Sequence, residues 1–268
     1  WSIVSSDVTV PVMKIKSLLV GIVGGAASGL TGIGGGTVMV PLLTGLLRMP
    51  QRNAHGTSLA IVIFVGIAAV IPYVAESQIQ WPLVFALGIG AIVGAQIGTR
   101  TMHNLPDTWL RLIFASFLFI VGLRMIFLES PDVSQEALSD IFSLEAGLAF
   151  AIGFVGGAFG GLLGIGGGTL FVPALVLLVS VPQHTAQGIS LVVVVLTALS
   201  GTFTNVRAGF VDKNTVIWVA PAAVILGFCS GILAQDLQAE YLTRLFGLVV
   251  VYVGGRTVMK TWSQLRER

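Results

Sequence analysis

Two glycine clusters, each followed by a threonine, are the residues best suited to bind a ligand. The sequence GLTGIGGGTVMVP occupies residues 29–41, and GLLGIGGGTLFVP occupies residues 161–173. Glycine turns the chain at positive φ and brings bare backbone N–H groups close to a ligand. An apolar helix that starts at the threonine would present unpaired N–H groups and the positive end of its dipole, which bind anions. The pattern predicts an anion site made by both copies, from Gly34, Gly35, Gly36, Thr37, Gly166, Gly167, Gly168 and Thr169.

The glycines have a second interpretation, in which they only allow two apolar segments to pack closely as a hairpin. Two nucleotide-binding motifs are excluded. No lysine follows the glycines, as a P-loop requires, and a GxGxxG fingerprint is absent.

Other hydrogen-bonding side chains recur at the same positions of both copies. They are Gln51, Ser58, Gln183 and Ser190. Donors of this kind suit an oxyanion, whose oxygens accept hydrogen bonds, so we predict that they contribute to the site. Ser58 and Ser190 are equally suited to cap a helix. The two glutamines follow a proline, and a place in a loop or at the mouth of the site fits them as well.

The three histidines, His55, His103 and His184, show no spacing typical of a metal site, and no metal or cofactor is predicted. His55 aligns with Gln187 of the second copy. At this position a titratable side chain in one copy is replaced by an uncharged amide in the other. We consider His55 a candidate proton-linked residue, with an ordinary loop histidine as the alternative.

The composition indicates that the elements around these residues lie in a membrane. Hydrophobic residues make up 55% of the 268 residues and charged residues 10%, with a mean hydropathy of +0.95. Soluble domains carry about 25% charged residues. Several apolar runs have the roughly 17–25 residues that a bilayer-spanning helix needs: 57–75, 83–99, 109–128, 189–206, 215–234 and 243–259. The chain is therefore predicted to be an all-α polytopic membrane protein.

The chain contains an internal repeat, whose two copies are offset by 132 residues. Residues 29–59 match residues 161–191 at 18 of 31 positions. We place repeat one at 15–128 and repeat two at 147–260. The segment between them, 129–146, has five acidic residues and no basic one, and is predicted to be an extracytoplasmic linker.

Each repeat is predicted to hold two short apolar arms around its glycines, followed by three transmembrane helices. The second arm, 37–47, would span roughly 17 Å as a helix, which is too short for a hydrocarbon core of about 30 Å. The two arms form either one broken crossing or a re-entrant hairpin of half-helices. The hairpin is favoured because it places the basic residues on one face of the membrane: Lys14, Lys16, Arg48, Arg52, Arg100 and Arg111.

Three crossings per repeat would make the two repeats inverted, as in many secondary transporters. Both termini would then be cytoplasmic, and the acidic linker would lie on the opposite face. Small residues that recur every four positions, such as Gly90 and Gly94, are predicted to be helix-packing seams.

The paired motifs resemble the TauE/SafE-type sulfite exporters, a family of prokaryotic permeases. The motif G-x-x-G-I-G-G-G-T-x-x-x-P at 29–41 and 161–173 is followed by P-Q-x-x-A-x-G-x-S-L at 50–59 and 182–191. The resemblance covers about 15–260 and implies that sulfite or an organosulfonate moves across the cell inner membrane.

Together these features predict a secondary transporter that exports a small sulfur oxyanion through a midplane site. An anion channel on the same scaffold is one alternative. Proton-coupled uptake of a sulfur-containing or carboxylate anion, with His55 as the titrating group, is another. An enzyme is disfavoured because Ser28 has no GxSxG context. The expected partners are a small anion and the bilayer, with a homodimer left open. The net charge of +2 gives no indication of nucleic acid.

Overall fold

The computed structural model describes residues 9–76, 79–101 and 142–237 continuously, together with isolated positions between 116 and 262. Every element in the continuous ranges is an α-helix, as the sequence predicts. The helices are α1 Thr9–Thr31, α2 Gly36–Gly45, α3 Gln51–Glu76, α4 Trp81–Thr101, α5 Phe142–Leu163, α6 Gly168–Leu178, α7 Gln183–Arg207 and α8 Lys213–Asp236.

Five of these helices are long and apolar enough to cross a membrane. They lie at 52–75, 81–100, 146–163, 183–207 and 213–236. Their outward faces carry large apolar side chains, among them Phe85 at 65% exposure and Ile217 at 64%. Apolar faces of this extent are suited to lipid and not to water. The predicted polytopic membrane class is confirmed.

The helices repeat with the offset found in the sequence. Helices α2 and α6, α3 and α7, and α4 and α8 begin at equivalent residues: 36 and 168, 51 and 183, 81 and 213, each pair 132 apart. Helix α5 starts at Phe142, five residues before the expected start of repeat two at 147. The final residues of the predicted linker are therefore helical. The rest of that linker, 129–141, and the expected repeat ends at 128 and 260 lie outside the described residues.

The prediction that both arms around the glycines are short is wrong for the first arm. Helices α1 and α5 have 23 and 22 residues, whereas α2 and α6 have 10 and 11. The first arms are longer because a helix does not need apolar side chains to close its backbone hydrogen bonds. Helix α1 thus includes Lys14 and Lys16, which the apolar pattern leaves out.

Small residues bring parallel helices into close contact, α1 against α8 and α5 against α4. A Cβ on Gly25 would lie 2.8 Å from Ala223 Cα, and one on Gly157 would lie 2.7 Å from Ala91 Cα. These two contacts are equivalent under the offset of 132. On the other side of the second seam, Gly90 and Gly94 lie against the backbone of α5. The interpretation of these glycines as packing seams is confirmed.

Two further contacts fix the positions of the glycine turns. Helix α2 folds back along α1, as the contact of Gly24 with Met39 shows. Helix α6 folds back along α5 through the contact of Gly156 with Phe171. Helices α3 and α7 cross in antiparallel directions. A Cβ on Gly201 of α7 would lie 3.0 Å from the Leu59 side chain, and one on Gly66 would lie 2.7 Å from Val195.

Candidate functional site

The two glycine turns have the same backbone conformation. Each one has three glycines at positive φ, which residues with a Cβ rarely adopt. The φ angles are 69°, 80° and 72° at Gly32, Gly34 and Gly35, and 67°, 79° and 84° at Gly164, Gly166 and Gly167. Gly35 and Gly167 are the N-cap residues of α2 and α6, and neither helix has a side-chain cap.

The two turns contact each other through their backbones. A Cβ on Gly36 would lie 2.9 Å from Ile165 Cα, and one on Gly168 would lie 2.8 Å from Ile33 Cα. The first turns of α2 and α6 therefore each lie against the opposite glycine turn. The structure thus brings together the two glycine–threonine clusters, 132 residues apart in sequence.

Both turns also lie at the crossing of α3 and α7. A Cβ on Gly34 or on Gly166 would contact the same two side chains, Val62 of α3 and Val194 of α7. These valines are themselves related by the offset of 132. The crossing point is near the middle of both helices, so the glycine turns lie midway along them.

The helix N-termini at the turns retain free backbone donors. In α2 the first backbone N–H group that donates to a carbonyl is that of Val38, 3.1 Å from Gly35 O. In α6 it is that of Leu170, 3.0 Å from Gly167 O. Within the described residues, no carbonyl accepts from the N–H groups that precede them, those of Gly36, Thr37, Gly168 and Thr169. Such groups are available to a ligand at a helix N-terminus.

The threonine hydroxyls at these termini are buried and unpaired. Thr37 is 4% exposed and Thr169 is 1% exposed, and neither Oγ1 has a hydrogen-bond partner in the described part of the chain. A buried hydroxyl left unsatisfied costs about 1–3 kcal/mol. The hydroxyls therefore add two donors to the free N–H groups.

The paired serines differ in their contacts. Ser190 Oγ donates to Gly32 O at 3.0 Å, which ties α7 to the first turn. Ser58 Oγ is buried and has no partner among the described residues. Both serines are seven residues inside their helices, so the alternative of a helix cap is wrong.

Gln183 is not brought to the turns. Gln183 begins α7, 11 residues before Val194, which corresponds to about 16 Å along the helix. Its amide is buried, and neither polar atom has a partner in the ranges that the structure describes. The side chain of Gln51, the first residue of α3, is outside the described part.

His55 and its equivalent Gln187 both face a glycine turn. A Cβ on Gly164 would lie 2.8 Å from His55 Cα, and one on Gly32 would lie 2.8 Å from Gln187 Cα. His55 is buried within α3, so the alternative of a loop histidine is wrong.

Three side chains that the sequence analysis did not select also hold the turns. Tyr73 Oη donates to Gly29 O at 2.7 Å and lies 3.2 Å from Gln187 Oε1. Gln187 Nε2 donates to Leu30 O at 3.4 Å, and Thr197 Oγ1 donates to Gly166 O at 2.8 Å. The alignment of Gln187 with His55 could have pointed to Gln187. No pattern in the sequence marks the tyrosine.

A model of one protein family matches both halves of the chain. It is described as "Sulfite exporter TauE/SafE", and it matches residues 5–125 and residues 149–268. No solved structure is significantly similar to the chain.

Similar proteins occur in bacteria and archaea. A probable membrane transporter protein of Xylella fastidiosa (strain 9a5c) is 30% identical over 264 residues, covering 94% of this chain and 99% of that protein. YunE of Bacillus subtilis (strain 168), also named a probable membrane transporter protein, is 26% identical over 261 residues, with 88% and 94% covered. MJ0441 of Methanocaldococcus jannaschii, of the same description, is 29% identical over 206 residues, with 74% and 73% covered. With its repeated helices and its match across both halves, this chain belongs to the TauE/SafE sulfite exporter family of membrane transporters.

Proposed function

We propose that the protein exports a small sulfur oxyanion, sulfite or an organosulfonate, across the cell inner membrane. The observation that carries the proposal is the meeting of two helix N-termini at the crossing of α3 and α7. There the free N–H groups of α2 and α6 lie with the unpaired hydroxyls of Thr37 and Thr169. In the described residues no Asp, Glu, Lys or Arg side chain is buried, so the donors at the turns are neutral dipoles. Such donors favour an anion over a cation.

The proposal includes an inverted-repeat architecture with the turns near the membrane midplane. Helices α3 and α7 are equivalent under the repeat, run antiparallel and cross near their middles. A two-fold axis that passes between Val62 and Val194 and exchanges them accounts for these features. If both helices cross the bilayer, this axis lies in the membrane plane, and each face of the membrane meets the same arrangement. Alternating access requires such an arrangement.

The distribution of basic residues supports a re-entrant hairpin and cytoplasmic termini. Lys14 Nζ of α1 lies 4.6 Å from the ring centre of Trp218, near the start of α8. Asp212 N, in the loop before α8, donates to Thr57 Oγ1 near the start of α3. The basic residues near these contacts share one end of the helix bundle: Lys14, Arg48, Arg52, Arg207 and Lys213. Because Lys and Arg are more frequent in cytoplasmic loops, we assign this end to the cytoplasm.

Labelling of single cysteines tests this topology. The variants Ser134→Cys and Ser263→Cys, made in a Cys229→Ser background, place thiols in the acidic linker and in the C-terminal tail. We expect an impermeant maleimide added to intact cells to label position 134 and not position 263. Equal labelling of the two positions would contradict an odd number of crossings per repeat. The background substitution is needed because Cys229 is an exposed free thiol.

Outward movement of an anion needs no coupling ion, because the membrane potential supplies about 2.3 kcal/mol per charge per 100 mV.

One contact favours the second candidate function, proton-coupled uptake of the anion. His55 lies against the second glycine turn, where a change of its charge would act on the turn. A pH gradient that drives uptake into proteoliposomes, and no longer does so after His55→Gln, would favour uptake. Counterflow would separate either carrier from an anion channel.

A binding screen tests the proposed substrate class. Purified protein in detergent is heated with sulfite, thiosulfate, sulfate, organosulfonates or carboxylates, and the preferred class raises the melting temperature most. We expect Thr37→Ala and Thr169→Ala to weaken sulfite binding about 10- to 150-fold, since a hydrogen bond to a charged group contributes about 1.5–3 kcal/mol. Thr44→Ala is the matched control, because the Thr44 hydroxyl donates to Val40 O within α2. The absence of any shift with sulfur oxyanions would overturn the proposal.

A further inference from the structure

Ser28, near the end of α1, lies beside the first glycine turn and has a buried hydroxyl. The residue is 0% exposed, and its Oγ has no hydrogen-bond partner among the described residues. Ser28 Cβ lies 3.2 Å from the point that a Cβ on Gly35 would occupy. The serine is therefore next to the N-cap of α2, where the N–H groups of Gly36 and Thr37 are free.

Several buried hydroxyls in the long helices donate to a carbonyl of their own helix, which is a common partner for serine and threonine. Thr31 Oγ1 donates to Ala27 O at 2.5 Å, and Thr99 Oγ1 donates to Ala95 O at 2.6 Å. Ser28 could donate in the same way to the carbonyl four residues earlier, that of Gly24, but it does not. Its free hydroxyl therefore needs an explanation that the helix does not provide.

The second repeat has no room for the same side chain. The equivalent of Ser28 is Gly160, and a Cβ there would fall against Gly167 N and 2.7 Å from Gly167 Cα. The first turn thus has two unpaired hydroxyls, those of Ser28 and Thr37. In the second repeat the position of Ser28 has no side chain, and the unpaired hydroxyl on α6 is that of Thr169. The two turns have the same backbone but different donor sets.

We propose that Ser28 is a substrate-binding residue whose hydroxyl donates to an oxygen of the transported oxyanion. This inference rests on the proposed function and adds a donor beside the first turn that the second repeat lacks at the equivalent position, Gly160. Two hydroxyls and two N–H groups at the N-terminus of α2 match a ligand with several acceptor oxygens.

The variant Ser28→Ala tests this role because it removes the hydroxyl and keeps the Cβ. Full-length protein in detergent is titrated with sulfite under anaerobic conditions, and the melting temperature is followed. We expect the dissociation constant for sulfite to rise about 10-fold or more, with little change in the melting temperature of the ligand-free protein. Ser230→Ala is the control. This serine is buried between α8 and α1, and its hydroxyl is 3.3 Å from Gly227 O and 3.4 Å from Gly25 O. We expect unchanged sulfite affinity in that variant.

The outcomes separate this inference from the proposed function. If Ser28→Ala binds sulfite as the wild type does while Thr37→Ala binds it weakly, Ser28 is not a ligand and the proposed function stands. A lower melting temperature without ligand, at unchanged affinity, would likewise assign Ser28 to packing alone. Failure of the wild-type protein to bind any of the anions would overturn both. Ser28→Gly, the residue of the second repeat, provides a second variant with the same expected loss if the alanine variant does not fold.

Discussion

Gly35→Val and Gly167→Val are expected to abolish transport and the anion-dependent rise in melting temperature. The φ angles at these positions are 72° and 84°, and this left-handed conformation costs a residue with a Cβ about 1–2 kcal/mol. Space is also lacking, since a Cβ on Gly35 would lie 2.6 Å from Gly24 O and one on Gly167 would lie 2.7 Å from Gly156 O. Both effects move the N–H groups at the start of α2 or α6. The losses should be similar in the two variants, because both turns contribute to one site.

Two controls separate this effect from a general loss of stability. A Cβ on Gly45, at the end of α2, would have no neighbour within 4 Å, so Gly45→Val should bind and transport normally. Ala86 of α4 is partly buried and packs against the hydrophobic core, so Ala86→Val should lower the melting temperature and leave sulfite affinity nearly unchanged. If Gly35→Val and Gly167→Val fold and still bind sulfite, the glycines serve packing alone and the anion binds elsewhere.

Gly36→Ala and Gly168→Ala are expected to impair transport nearly as strongly, for a different reason. Both residues have ordinary helical φ, so alanine introduces no backbone strain. The added methyl groups would instead fall 2.9 Å from Ile165 Cα and 2.8 Å from Ile33 Cα. Because these neighbours are backbone atoms, the two turns must move apart. Overpacking of this kind costs about 1–3 kcal/mol.

The flux of sulfite across the membrane of proteoliposomes and the melting temperature of the ligand-free protein together measure this effect. We expect the flux to fall at least about 10-fold, while the melting temperature falls by only a few degrees. Gly45→Ala is the matched control in the same short helix, and it should leave both quantities unchanged. Wild-type flux in Gly168→Ala would mean that the contact between the turns is not required for transport.

Much of this architecture follows from patterns in the sequence. The duplicated glycines, the repeat offset and the apolar runs predict the helices and the two turns, because they depend on local conformation and on burial in lipid. The lengths of α1 and α5 do not follow from apolarity, since a helix continues through Lys14 and Lys16 at no cost in backbone hydrogen bonds.

The contacts that tie the turns to α3 and α7 could not be predicted. Tyr73 and Gln187 are 114 residues apart, and Ser190 and Gly32 are 158 apart. Such pairs depend on which faces of the helices meet, which one sequence does not specify. The difference between Ser28 and Gly160 is visible in the alignment of the two repeats. Only the structure places both residues next to an N-cap.

The contact between the two turns also bears on how a duplicated chain of this kind can arise. Gly36 lies against the backbone of the second turn, and Gly168 lies against the backbone of the first. Under the inverted topology proposed above, a half-length chain with a single turn would leave this surface uncovered until a second copy, inserted in the opposite direction, bound to it. Such an ancestor would have been an obligate antiparallel dimer. Fusion of the two genes then makes the partner permanent and leaves each copy free to acquire its own side chains around a shared contact.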